Sequence, residues 1–170
     1  SRLCMASAVV AHTQAFGGDY VPGCYEDVDL ADLVVMSGHN AAWTHPVLYR
    51  RMEAARRRGQ RHIVIDPRRT ETADAADLHL PLAPQSDVRL WNGLLADLIR
   101  VGAIDREYIA AHVSGFADME KALGETDQSV SAVAADCGVD ESDLRRFFRM
   151  FAETPRTVSL TCRAENVSTS

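Results

Sequence analysis

Leu33-Val34-Val35-Met36-Ser37-Gly38-His39-Asn40 is followed, some twenty residues on, by His62-Ile63-Val64-Ile65-Asp66-Pro67-Arg68-Arg69-Thr70. These two blocks decide the fold. Each begins as a short, continuous apolar run, the pattern of a strand covered on both faces. Each then breaks, at Gly38 in the first and at Pro67 in the second. Between them, residues 44–58 place Leu48, Met52 and Ala55 on one helical face under an arginine-rich outer surface, and Gly59 reads as the C-cap. Strand, helix and strand in this order form a βαβ unit, whose strands run parallel.

Working outward, Leu78-His79-Leu80-Pro81-Leu82 is a third extended run, and Pro81 predicts an edge position. Residues 87–101 carry Val88, Trp91, Leu94, Leu95, Leu98 and Ile99 on one helical face ended by Gly102. Asp105 caps a helix reaching Val113, and residues 114–130 are too polar and glycine-dotted to assign. Asp140 caps a helix that turns Leu144, Phe147, Phe148 and Phe151 inward, Pro155 follows, and Thr157–Thr161 is a last strand. Residues 4–16 align Met5, Ala8, Val9, His12 and Phe16 as a helical stripe, before Gly17-Gly18 and Pro22-Gly23 open a loop. The expectation is an α/β, Rossmann-like domain spanning 1–170, with a mainly parallel sheet and helices on both faces.

Composition agrees with that class. The chain has 170 residues, 46% of them hydrophobic and 25% charged, enough for a substantial core. With 18 basic and 24 acidic residues the net charge is −6, which argues against general nucleic-acid binding and against a polybasic membrane surface. No apolar run approaches the ~18 residues of a membrane span. The opening Ser1-Arg2-Leu3-Cys4 has no initiator Met and no leader pattern, so the expectation is a segment of a longer protein or a processed end. Cys4, Cys24, Cys137 and Cys162 form no C-x-x-C pair, so neither a disulfide framework nor a zinc site is indicated.

In open parallel sheets, ligands gather beyond the carboxyl ends of the strands. Three segments fall there: Ser37-Gly38-His39-Asn40, Asp66-Pro67-Arg68-Arg69-Thr70 and Ala83-Pro84-Gln85-Ser86-Asp87. Together they suit a nucleotide. Gly38 permits close backbone approach, and the helix opening near Thr44 and His45 offers amides to a phosphate. Asp66 is placed to accept ribose hydroxyls, Arg68 and Arg69 to pair with phosphates, and Asp87 to accept two donors from a purine edge such as guanine. Taken singly, the same residues also serve as turns, caps and solvated charge. His39 and His45 lie near this edge, whereas His12, His62, His79 and His112 read as structural. No G-x-G-x-x-G, H-E-x-x-H or G-x-S-x-G is present, which disfavours an ordinary NAD domain, a histidine-ligated metal and a serine hydrolase.

Arg2-Leu3-Cys4-Met5-Ala6-Ser7-Ala8-Val9, Gly23-Cys24-Tyr25-Glu26-Asp27 and Ala31-Asp32 resemble the molybdenum-containing bacterial nitrate reductases of the dimethyl sulfoxide reductase family. The likeness continues in order through Gly38-His39-Asn40, His45-Pro46, Asp66–Thr70 and Gln85-Ser86-Asp87, to about residue 115. It implies two molybdopterin guanine dinucleotides around molybdenum in the whole enzyme, with Cys4 as the thiolate ligand. Residues 37–44, with Ser37, Gly38, His39, Asn40 and Thr44, then fall on one dinucleotide loop, Asp66–Thr70 on a second and Gln85–Asp87 on a third. It further implies nitrate as substrate, an iron–sulfur cluster in an N-terminal part absent from this chain, the rest of the catalytic subunit, and an electron-donor protein or domain. Asp66–Thr70 looks more like the assimilatory, cytoplasmic members than the periplasmic ones. Arg163-Ala164-Glu165-Asn166-Val167 stands where the family usually has Met-Gly-x-Asn-Gln, so those contacts are not carried over. The competing readings are another molybdopterin oxidoreductase, such as a formate dehydrogenase, and a non-catalytic α/β nucleotide-binding domain with Cys4 merely buried.

Overall fold

The computed structural model describes residues 6–161, so Cys4, Met5, Cys162 and the segment 163–167 lie outside the described residues. The frame is a four-stranded, all-parallel sheet of β1 (Leu33–Ser37), β2 (Arg61–Ile65), β3 (Leu78–Leu80) and β4 (Thr157–Thr161), in the order β3-β2-β1-β4. Leu33 lies opposite Arg61 on one side and Thr157 on the other, and Ile65 lies opposite Leu80. The strand order therefore reverses between β1 and β4, and β3 occupies an edge as Pro81 foretold.

All five residues of β1 are buried, because the strand has neighbours on both sides and helices above and below. Its side chains divide by alternation. Leu33 and Val35 join Ile63, Ile65, Leu78 and Leu80 in one core. That core is closed by α6 (Asp87–Val101), α9 (Val130–Cys137) and α10 (Glu141–Ala152), through Leu90, Leu94, Val133, Leu144, Phe147 and Phe148. Val34, Met36 and Val64 point the other way, against Val28 of α2 (Tyr25–Leu30), Met52 of α4 (Pro46–Arg56) and Ala73 of α5 (Glu71–Asp74). Phe147 and Phe148 are fully buried, and each removes enough apolar surface from water to contribute about 1.5–3 kcal/mol.

Several expectations are corrected. The helix expected over 44–58 is α4, which starts with Pro46 at its first position, and a separate four-residue α3 (Ala41–Thr44), not expected from the sequence, precedes it. Proline has no N–H to give an ongoing helix but tolerates a helix start, so the chain breaks there. Val88 faces outward, 53% exposed, because the buried face of α6 runs through Leu90, Gly93, Leu94 and Asp97. Only 78–80 of the third run pairs in the sheet. The polar stretch 114–130 contains α8 (Phe116–Leu123) and the first residue of α9, both unassigned from the sequence, while Asp105 does cap α7 (Arg106–His112) by accepting from Tyr108 N. In α1 (Ala6–Phe16) no residue is fully buried; Ala8, Val9 and His12 of the expected stripe are half-buried, whereas Phe16 is exposed.

Candidate dinucleotide site at the carboxyl edge of the sheet

Ser37, Ile65 and Leu80 end three neighbouring parallel strands in register, so the segments that follow start side by side. Strand spacing of ~4.8 Å puts the first and third starts on the order of 10 Å apart. Main-chain bonds extend the ladder past the strand ends, from Gly38 N to Ile65 O (2.8 Å) and from Asp66 N to Leu80 O (3.1 Å). Gly38 takes φ of +57°, a left-handed turn that glycine adopts without steric cost.

Side chains then bind the segments to one another. Thr72 Oγ1 accepts from Ala42 N (3.1 Å) and donates to Asn40 Oδ1 (2.7 Å), which fixes the first loop to α5. Trp43 Nε1 adds a second tie, donating to Glu71 Oε2 at 2.6 Å. His79 Nε2 donates to Asp66 O at 2.8 Å, joining β3 to the second loop, so this histidine supports the site instead of only filling space. In the third loop, Ala83 N donates to Cys137 O (2.9 Å) and Ser86 Oγ donates to Ala83 O (2.6 Å). Gln85 holds φ of +72°, the single described non-glycine residue in that region. Such strain persists where surrounding structure over-determines it, commonly at ligand sites.

The polar groups left over define what this edge can bind. Ser37 Oγ and His39 Nδ1 are buried with no hydrogen-bond partner among the described residues. Orphaned buried groups of this kind cost ~1–3 kcal/mol each unless something binds them. Asp66 is buried, and its Oδ1 accepts from Arg68 N within its own turn, at 2.8 Å. Burial lifts the Asp87 carboxyl above the usual carboxylate range, at the first position of α6. His39 Nε2 lies 2.9 Å from His45 Nδ1, and burial, then the neighbouring His45, push the His39 imidazole below its ordinary value.

Other candidate residues are already engaged. Thr70 Oγ1 caps α5 by accepting from Ala73 N. Arg69 pairs with Asp74 at 2.7 Å on the surface, and Thr44 Oγ1 donates to Asn40 O at 3.0 Å. Arg68 is exposed, with its Nε 3.9 Å from Asp66 Oδ1, and Pro67 is exposed at the head of the turn. Ser86 precedes α6 but makes no side-chain cap. Thr72, absent from the sequence candidates, is the α5 residue that ties down the first loop. Among the described residues no group of three or more His, Cys, Asp or Glu side chains could hold a metal ion.

A groove of about 930 Å³ lies elsewhere, between residues 21–31 and β4, and is lined largely by apolar groups such as Val21, Leu30, Val158 and Leu160. Neither Ser37 nor His39, which carry the buried unpartnered atoms among the described residues, lines it.

The family model described as Molybdopterin oxidoreductase matches residues 1–152. A nitrate reductase from Shewanella frigidimarina is 42% identical over 99% of this chain and 18% of its own length. A nitrate reductase from Klebsiella oxytoca is 45% identical over the whole chain and 19% of its own length. Formate dehydrogenase H from Escherichia coli is 31% identical over 90% of this chain and 21% of its own length. Among solved structures, acetylene hydratase from Pelobacter acetylenicus superposes with a TM-score of 0.80 and 25% identity over 96% of this chain and 22% of that chain. The chain thus spans under one fifth of the two nitrate reductases.

Proposed function

Because this chain belongs to the molybdopterin oxidoreductase family, we propose that it is the part of a nitrate-reducing catalytic subunit that binds one molybdopterin guanine dinucleotide, with Cys4 ligating molybdenum. The observation that carries the reading is the match to two nitrate reductases at 42% and 45% identity over 99% and 100% of the chain. The strand-end geometry is consistent with it. Ser37 and His39 offer buried polar atoms, Gly38 brings the main chain close, and Asp66 offers a free carboxylate oxygen for sugar hydroxyls. Asp87 is the guanine acceptor, flanked by Gln85 and Ser86. Arg68 closes over phosphate from the surface, whereas Arg69 first has to leave Asp74.

The bound group supplies the two-electron chemistry by which an oxygen atom leaves nitrate, while this chain's residues bind, orient and exclude water. A Cys4 thiolate suits a soft, redox-active metal. Electrons arrive through an iron–sulfur cluster and a donor protein or domain outside this chain, and the isolated 170-residue chain turns over no nitrate. No described helix is long and apolar enough to cross a membrane. The likeness of Asp66–Thr70 to assimilatory enzymes supports a cytoplasmic setting.

The test uses the full-length subunit. Molybdenum and guanine nucleotide are assayed in the purified protein, nitrate and formate turnover are compared, and Cys4→Ser is set beside Cys24→Ser and Cys137→Ser. The expected result is nitrate turnover that Cys4→Ser abolishes while the two controls stay active. Formate turnover without nitrate turnover would move the chain to the formate dehydrogenases, and a cofactor-free protein would leave only a nucleotide-binding module.

A further inference from the structure

Two imidazoles meet at the first loop in an arrangement that the dinucleotide reading does not itself require. His39 Nε2 and His45 Nδ1 are 2.9 Å apart, with the ring planes perpendicular and the centroids separated by 4.8 Å. His39 is 5% exposed and its other nitrogen, Nδ1, has no partner among the described residues. His45 is exposed and precedes Pro46, so the pair sits at the amino end of the eleven-residue helix α4. Aligned peptide dipoles make that end attractive to anions.

Proton counting restricts the pair. Thr44 Oγ1 donates its hydrogen to Asn40 O, so toward His45 Nδ1, 2.9 Å away, it can only accept. A bare His45 Nδ1 takes the proton of His39 Nε2, which leaves neutral His39 with a bare, buried Nδ1 lone pair. If His45 Nδ1 carries the proton, it donates to Thr44 Oγ1 and His39 Nε2, and neutral His39 must hold its own proton on Nδ1. The state of His45 therefore decides whether the buried His39 nitrogen repels an anionic oxygen or donates to it.

We propose that His39 Nδ1–H donates to a phosphate oxygen of the bound dinucleotide, and that His45 sets this tautomer and takes up a proton as the phosphate binds. This rests on the dinucleotide reading and goes further by naming the contact atom and its coupling to pH. In the bound pair His45 Nδ1–H donates to Thr44 and His39, while its exposed Nε2 accepts the proton that the phosphate charge favours. One proton is taken from solvent and no covalent bond changes. The other titratable and charged side chains on the packed elements are Tyr49, Arg50, Arg51, Glu53 and Arg56 of α4, Glu71 and Asp74 of α5, and Asp66, Arg68 and Arg69 of the second loop. Glu71 is held by Trp43, Asp74 by Arg69, Glu53 by Arg56 and Asp66 by its own turn. Burial, and then the neighbouring His45, push the His39 imidazole below its ordinary value.

The experiment uses cofactor-free full-length subunit and GDP-mannose, a pyrophosphate diester with no phosphate group titrating near neutrality. Calorimetry in two buffers of different ionisation enthalpy, at pH 6, 7 and 8, reads both affinity and proton uptake. The expected result is uptake of a fraction of a proton near pH 7 and binding that weakens several-fold toward pH 8, within the limit of about tenfold per pH unit set by one linked proton. His45→Gln, shown to be folded by circular dichroism, should still bind, without uptake and with nearly pH-independent affinity. Guanosine, which lacks phosphate, should bind without uptake. Binding of GDP-mannose with no proton uptake in the unaltered protein, uptake retained in His45→Gln, or equal uptake with guanosine would each overturn the proposal and leave the dinucleotide reading intact. Failure of GDP-mannose and guanosine to bind at all would overturn both.

Discussion

Replacing Gly93 by alanine tests whether the third loop is held at its present height by close helix packing. Gly93 lies on the buried face of α6, and a Cβ built there meets Val133 of α9 at 2.7 Å from Cγ2 and 2.8 Å from Cγ1. Both methyls crowd the same point, so rotating the stiff, β-branched Val133 offers no relief. Restoring ordinary carbon–carbon contact, about 3.5–4 Å, requires the two helices to part by nearly 1 Å. Overpacking of this kind costs about 1–3 kcal/mol, against about 0.8–1 kcal/mol gained by replacing a helical glycine with alanine. Gly93→Ala is therefore expected to lose up to about 2 kcal/mol, and Val133→Ala alone about 2 kcal/mol through the cavity it leaves. In the double variant the new methyl enters that cavity, so the loss should fall short of the sum by at least about 1 kcal/mol. Urea unfolding followed by tryptophan fluorescence measures all four proteins. Additivity within about 0.5 kcal/mol would refute the close-approach argument. Because α6 begins at Asp87, Gly93→Ala should also weaken GDP-mannose binding, and Val133→Ala should restore it.

Three further outcomes are expected. His62, buried and donating from Nε2 to Gln60 Oε1 at 2.9 Å, has its imidazole pushed down to about 4 by burial and then by the Arg56 charge. Its lowered folded value means that it resists protonation, so stability present above pH 6.5 is lost as pH falls toward 4, by about 3 kcal/mol. Urea midpoints for His62→Gln should fall less steeply across that window, and parallel curves would reject the assignment. Asp87, whose carboxyl is raised by burial, is better tolerated protonated, so folding gains as pH falls through its folded value. Asp87→Asn should raise the thermal midpoint at pH 7 while weakening guanosine binding, and a loss of both would show that the carboxylate is structural. Gln85→Gly, which relieves a φ of +72°, should leave stability unchanged or raise it by up to about 1 kcal/mol, yet reduce guanosine affinity in calorimetry.

Legibility in the sequence followed the length scale of the cause. β1 and β2 are readable because burial on both faces writes an uninterrupted apolar run, and the Asp105 and Asp140 caps because the helix they serve starts at the next residue. The three strand-end loops follow from a parallel sheet and its neighbours. By contrast, α9 is a two-turn helix whose Val130, Val133, Ala134 and Cys137 face the core only because α6 and α10 are there. Val88 satisfies the helical spacing as well as Leu90, and tertiary packing alone chooses between them. Thr72 reaches Asn40 across 32 residues, and the His39–His45 contact depends on the chain breaking at Pro46. Neither leaves a local signature. The ligand role proposed for Cys4 rests on resemblance, not on any pattern that the topology imposes.

The position of β1 has a consequence for how the chain acquires its structure during synthesis. Its partners β2 and β3 follow closely, but β4, which pairs Thr157 with Leu33, is made last. At ~5–20 residues per second, the roughly 80 residues between β3 and β4 occupy a ribosome for about 4–16 s. Throughout that interval one edge of the most apolar strand is unpaired, a template for wrong pairing. When β4 arrives it is clamped at its entry, since Asp32 N and Leu33 N both donate to Arg156 O, and the Arg156 guanidinium grips both oxygens of Asp32 at 2.8 Å. An exposed ion pair of this kind adds little to final stability. Its value is in registration: it selects the correct partner for an edge that has waited longest, so Asp32→Asn should lower the yield of folded protein in rapid synthesis more than it lowers the melting temperature.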